Sequence, residues 1–214
     1  RQLVDQGVDG LIVCCSNPVA LNPTIKYAYN QGVPTASMTG YLTSEYAIST
    51  SVNYAMAGYN IATWLAETIG GEGNVIIMEG IPGASASDSQ HAGMKAGFAE
   101  YPDITIVAEI AHMWTPQIAQ AELQKWLSAN TTQVDGLAVQ SSGESGALNA
   151  LESSGRPMVP MALGGEIGAF CYWRNNPDFI DRAIYAWPPG DDAEFAMNVL
   201  LRTMQGQGLK MQSI

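Results

Sequence analysis

Basic residues are scarce. Nine Lys and Arg stand against 20 Asp and Glu, a formal charge of −11 over 214 residues. Such a chain lacks the basic face that a phosphate backbone demands, which argues against nucleic acid as a partner. The same shortage argues against an anionic membrane surface. Charged residues of both signs make up only 14% while hydrophobic residues make up 47%, the opposite of a disordered composition. Long apolar runs are also missing. The candidates, such as Val75–Met78, are strand-sized and far from the ~20 residues of a membrane span, so no membrane insertion is expected. There are three cysteines, Cys14, Cys15 and Cys171, two of them adjacent, and no disulfide framework can be drawn from them. The two histidines, His91 and His112, lie far apart in sequence and suggest no metal cluster. No Gly-Lys-Ser/Thr phosphate loop occurs, and Gly70-Gly71-Glu72-Gly73 precedes a strand pattern instead of joining a strand to a helix. No cofactor and no metal are expected.

What is present is an alternation. At about 150 residues per domain, 214 residues make one large domain or two small lobes. Apolar runs at 10–15, 33–38, 48–52, 74–78, 104–109, 136–140, 159–163 and 183–187 read as strands. Helical spacing is found at 18–31 (with Asn17 as cap), 58–69, from Ser85 or Ser87 to Tyr101, 116–129, 143–153 and 191–204. Repeated strand–helix units predict parallel sheets with right-handed crossovers and a doubly wound α/β architecture. The pattern stutters at 39–57, which favours two sheets over one. The chain opens on Arg1-Gln2-Leu3-Val4 as though inside a helix, and closes on Lys210–Ile214 as though entering a strand, so a partial chain is expected.

Enzyme signals are weak. Gly143-Glu144-Ser145-Gly146-Ala147 has the small-x-Ser-x-small spacing of a nucleophile elbow. Both histidines precede Ser145, however, so the acid and histidine of an α/β hydrolase cannot follow it in that fold's order. Small residues that let a helix start pack closely explain the spacing as well. Asp191-Asp192 opens a helix, where acidic charge complements the dipole. Trp64 and Trp126 fall within helix patterns and read as core. Three positions fall beyond strand ends, where open α/β sheets bind ligands: Trp114 in His112-Met113-Trp114-Thr115, Glu166 in Gly164-Gly165-Glu166, and Trp187 before Pro188. Flat rings there suit the C–H faces of a sugar, and polar neighbours suit its hydroxyls.

The order of these pieces resembles the periplasmic sugar-binding proteins of the ribose- and galactose-binding type, whose fold is shared by the ligand core of lac-repressor-like regulators. The segments that carry the resemblance are 3–13 (Leu-Val-Asp-Gln-Gly-Val-Asp-Gly-Leu-Ile-Val), Gly32-Val33-Pro34, 52–58, 73–80, 133–137 with 146–151, and Tyr185–Pro189. The resemblance implies two lobes, each with a doubly wound parallel sheet and flanking helices, and a solute held in a cleft between them. It would place residues 1–52 plus 188–214 in the N-terminal lobe and 53–187 in the C-terminal lobe, with the family's first βα unit and last strand outside this chain. It further implies Trp114 as a stacking ring, Gln140 and Ser141 as polar contacts after the next strand, Glu166 as the acid after the following one, and Asn53 and Trp187 at the crossings. Cys14 stands where the family often has a polar side chain, with Ser16 and Asn17 just behind it. Two positions depart from the pattern. The family's Asp-Arg pair after the second strand is Thr39-Gly40 here, and its helix arginine is Gln90. Arginine supplies several fixed donors for vicinal hydroxyls, so the implied pocket is less charged and more aromatic. The function implied is binding a sugar or polyol, without chemistry, for delivery to the membrane permease of an ABC importer. The location implied is periplasmic or extracellular, secreted with or without a lipid anchor, and the full-length protein would be monomeric. The alternative is the sensor core of a lac-repressor-like transcriptional regulator.

Overall fold

A computed structural model describes residues 1–14, 17–179, 181–183 and 189–207. The chain forms two compact units, one of Arg1–Val52, Gly83–Ala86 and Trp187–Ile214, the other of Asn53–Pro82 and Ser87–Ala186.

In the first unit, a short helix α1 (Gln2–Asp5) leads to strand β1 (Leu11–Val13), helix α2 (Asn22–Asn30) and strand β2 (Thr35–Ser37). β1 and β2 pair in parallel, with Leu11 opposite Thr35. Val4, Ala28 and Val33 form a small core. Asn17 caps something other than a helix. Its Oδ1 accepts the N–H groups of Val19 and Ala20 at 3.0 Å, which closes a turn before α2 begins at Asn22. The run 48–52, read as a strand, is reduced to a single parallel bridge between Ile48 and Ala36. Beyond Ile48 the pairing is taken over by side chains: Ser37 Oγ donates to Thr50 O, and Thr50 N–H donates back to Ser37 Oγ, both at 3.0 Å. Hydroxyls so placed compete with a backbone ladder.

The second unit is built from helix α3 (Tyr54–Thr68), strand β3 (Glu72–Glu79), helix α4 (Ser85–Phe98), strand β4 (Asp103–Ala111), helix α5 (Pro116–Ala129), strand β5 (Gly136–Val139), helix α6 (Glu144–Ser154), strand β6 (Met161–Leu163), helix α7 (Ile167–Asn175) and strand β7 (Asp181–Ala183). The strands form one parallel sheet in the order β4-β3-β5-β6-β7. The α/β class and the parallel pairing agree with the sequence. Alternation explains the unbroken apolar strands. Ile76, Met78, Leu137, Val139, Met161 and Leu163 face one core with Leu123 of α5 and Leu148 of α6. Val75, Ile77, Ala138 and Ala162 face the other with Ile61 and Leu65 of α3 and Met94 of α4. A strand covered on both faces has no polar side to show.

Two further elements differ from the sequence reading. Helix α7 covers residues 167–175, where no helix was expected, because only Ala169 of that helix is fully buried and its apolar stripe is weak. The last strand of this sheet lies at 181–183 instead of 183–187, and residues 184–188 fall outside the described chain. Helix α8 (Pro189–Met204) completes the first unit, with Ala196 and Leu200 buried. Trp64 and Trp126, read as core, are half-buried and pack against the margins of the two cores.

Candidate functional site

The chain turns from β3 to β4 on one side and then to β5 on the other, so the strand order reverses at β3. Open α/β sheets bind ligands beyond the carboxyl ends of the strands at such a point. In the second unit these ends carry Glu79-Gly80, His112-Met113-Trp114, Gln140-Ser141-Ser142 and Gly164-Gly165-Glu166.

The backbone there is unusual. Met113 (φ 54), Trp114 (φ 51) and Ser142 (φ 71) all adopt left-handed conformations. Non-glycine residues held this way cost about 1–3 kcal/mol each and cluster at functional sites. The β3–β4 pairing continues past the strands, with His112 N–H to Glu79 O at 2.7 Å and Met113 N–H to Gly80 O at 3.1 Å. This brings the Trp114 indole over Gly80. A Cβ on Gly80 would lie 2.0 Å from Trp114 Nε1, so only glycine admits the ring in this place. Trp114 is half-buried.

Gln140 differs from its expected role. Its side chain is fully buried. Its Oε1 accepts from Gly80 N–H at 2.9 Å and from Ser87 Oγ at 3.0 Å, and its Nε2 donates to Ser87 O at 2.9 Å. It is a strut between β5 and the β3–α4 connection, which leaves no surface for a solute. A buried amide has to be satisfied, and the protein satisfies this one internally. Ser141, half-buried, packs against the backbone of Gly164.

Glu166 is half-buried at the start of α7, and its carboxylate accepts from Ser145 N–H at 2.9 Å and from Ser145 Oγ. Glu144 reciprocates. Its side chain is fully buried and accepts from Gly143 N–H and Gly164 N–H, both at 2.9 Å, and more weakly from Glu166 N–H at 3.4 Å. Burial pushes the Glu144 carboxyl up to about 7, and the neighbouring Glu166 adds to the rise. His112 is also fully buried, and neither ring nitrogen makes a well-formed hydrogen bond within the protein. Burial lowers it to about 4, only partly offset by the Gln140 backbone and the Glu166 charge, so the ring is neutral at pH 7.

The remaining expected residues are dispersed. Gln90 is buried on α4 with Nε2 unpartnered. Asn53 is exposed and caps α3 by accepting Met56 N–H at 3.0 Å. Asn17 and Thr39 belong to the first unit. Thr39 has φ 66, and its Oγ1 donates to Asp192 Oδ2 at 2.7 Å. Trp187 lies outside the described residues. The sheet edge thus assembles Trp114, Ser141 and Glu166, with Gln140 as their support.

Glu144 is not among the residues that the sequence singles out, and His112 enters there only through metal spacing and its order relative to Ser145. Glu144 had a signal: it shares an i, i+3, i+4, i+7 stripe with the buried Ala147, Leu148 and Leu151. An acid on an apolar stripe is either paired or protonated.

The elbow spacing serves packing. A Cβ on Gly146 would lie 2.0 Å from Pro116 O, and one on Gly143 would lie 2.7 Å from the His112 ring. His91 is held between Glu79 and Glu109 at 2.7 Å each, and Lys95 reaches Glu109 at 2.9 Å, an ion pair that lowers the Glu109 carboxyl. Ser145 therefore has Glu166, and no histidine, as its hydroxyl partner. Among the described residues no group of three or more His, Cys, Asp or Glu is arranged to hold a metal ion.

A two-sided parallel sheet with aromatic and polar groups at its carboxyl edge is the architecture of a solute-binding α/β protein. The chain belongs to the periplasmic binding protein domain family, whose sequence model matches residues 1–208. It is 31% identical over 161 residues, 74% of this chain, to the xylitol-binding protein of Mycolicibacterium smegmatis, and the match spans 46% of that relative's length. The periplasmic solute-binding protein of an ABC transporter from Actinobacillus succinogenes 130z, solved with bound D-allose, superposes with a TM-score of 0.83 at 26% identity over 98% of this chain and 76% of its own. An ABC transporter solute-binding protein from Thermobispora bispora DSM 43833 shares the fold, with a TM-score of 0.86 at 24% identity over 97% of this chain and 64% of its own.

Proposed function

We propose that this protein is the solute-binding component of an ABC-type importer and that it takes a sugar or polyol. In this reading its two compact units are the two lobes of such a protein. It works in the periplasm or outside the cell as a monomer, with a membrane permease as its partner and no role for nucleic acid. The observation that carries the reading is the Trp114 ring, held in a left-handed backbone over Gly80 at the carboxyl edge of the sheet. A half-exposed aromatic held this way suits the carbon skeleton of a sugar or polyol, and Glu166 and Ser141 at the same sheet edge supply acceptors and a hydroxyl. The relatives named for xylitol and solved with D-allose support this solute class. In this reading the protein binds without turnover, which is supported by the Ser145 hydroxyl having Glu166, not a histidine, as its partner.

The test is calorimetric titration of the intact protein with pentoses, hexoses and pentitols, with each solute recovered and assayed for change. Aromatic stacking adds about 0.5–1.5 kcal/mol beyond burial. At about 1.4 kcal/mol per tenfold, and with lost contact area added, Trp114→Ala weakens binding at least ~10-fold. Trp126→Ala, remote from the sheet edge, keeps wild-type affinity and loses stability. Equal affinities for Trp114→Ala and wild type would remove the basis of the reading.

A further inference from the structure

The carboxyl edge of the sheet holds two glutamates that meet no cation. Among the described residues neither Glu144 nor Glu166 is ion-paired with Lys or Arg. The two chains cross. Glu144, at the start of α6, accepts the Gly164 N–H and, more weakly, the Glu166 N–H of the β6–α7 loop. Glu166, at the start of α7, accepts the N–H and hydroxyl of Ser145 on α6. Each carboxylate thus satisfies the free N–H groups at the other's helix start. The titratable groups facing Glu144 are Glu166 from the β6–α7 loop and, across Gly143, His112 from the β4–α5 connection. Neither supplies a positive charge at pH 7, because Glu166 is an acid and His112 is neutral there.

We propose that Glu144 is a positioning residue for Glu166, and that the two carboxyls hold one proton between them, which fixes the β6–α7 loop for solute binding. The inference rests on the sugar- or polyol-binding reading above. A fully buried carboxyl next to a second carboxylate does not ionise readily, so the pair takes up a proton where isolated acids would have lost it. With the proton in place, the two loops are joined by a neutral donor and a charged acceptor. Without it, two negative charges are forced together where the two loops cross. Solute affinity therefore falls as pH rises through neutrality, by tenfold for each unit by which binding moves the pair's proton affinity.

Two measurements on the intact protein test this. In the first, glutamate carboxyls labelled with carbon-13 are followed by NMR from acid to alkaline pH without solute. One carboxyl titrates near neutrality in the wild type, and that transition is missing in Glu144→Gln. A wild type with no glutamate titrating above the ordinary carboxylate range overturns the proposal. In the second, xylitol and D-allose are titrated across the same pH range. Wild-type affinity falls on the alkaline side, Glu144→Gln is flat in pH and rescues what Glu144→Ala loses, and Glu166→Gln binds weakly at every pH. A merely structural Glu144 would leave the pH slope unchanged in Glu144→Gln, and that result overturns the proposal as well. If neither solute binds the wild type, the solute reading fails, while the carboxyl titration still decides whether the pair shares a proton.

Discussion

His112 and Glu144 lie at the same sheet edge, on either side of Gly143, and respond to pH in opposite directions. His112 is lowered from 6.5 to about 4 by burial. The unfolded chain takes up this proton first, so the stability contributed by the neutral ring is complete above pH 6.5 and is lost as pH falls towards 4. Glu144 is raised from 4.5 to about 7. Its contribution is complete below pH 4.5 and is lost as pH rises towards 7. Each shift, at about 1.36 kcal/mol per unit, corresponds to about 3 kcal/mol. Between pH 4.5 and 6.5 the two slopes oppose each other, and their sum is nearly flat. Single variants separate them. Stability is measured by urea unfolding at half-unit steps from pH 4 to 8 and expressed as variant minus wild type. For His112→Phe the difference rises by about 3 kcal/mol as pH falls from 6.5 to 4, because the acid penalty is gone. For Glu144→Gln it falls by about 3 kcal/mol as pH drops from 7 to 4.5, because the acid-side gain is gone. Flat difference profiles, or two profiles that slope the same way, would refute the argument from burial.

Gly80→Ala puts a methyl group 2.0 Å from the Trp114 indole nitrogen, so the ring must leave its place. Solute affinity drops about as far as in Trp114→Ala, and the double variant loses little more than either single one; additive losses would show that the two residues act separately. Arg156 donates from Nη1 to Thr132 O at 2.9 Å and from Nη2 to Leu127 O at 2.7 Å and Asn130 O, closing carbonyls after α5. Hydrogen bonds from a charged donor contribute about 1.5–3 kcal/mol, so Arg156→Ala lowers unfolding free energy by about 2 kcal/mol in urea titrations, and a change under ~0.5 kcal/mol would contradict the assignment.

The α/β class and the parallel pairing were legible in the sequence. Strands such as Val75–Met78 are apolar on both faces, as a doubly covered parallel sheet requires, and Trp114 and Glu166 stand just past strand ends, where open α/β sheets place ligands. Weak periodicity concealed α7, since Ala169 is its one fully buried residue. Hydroxyl bonding between Ser37 and Thr50 ended what read as a strand at 48–52. The individual roles were decided in three dimensions. Gln140 and Glu166 look equally available as polar residues after strands. Only the fold shows that the Gln140 amide is spent on Gly80 and Ser87, while Glu166 stays half-open beside Ser145. Glu144 lay within a motif read for its serine. Its burial, its meeting with Glu166 and its proton depend on two loops more than 20 residues apart in the chain being brought together at one sheet edge. A one-dimensional pattern records neither that meeting nor the loss of water that goes with it.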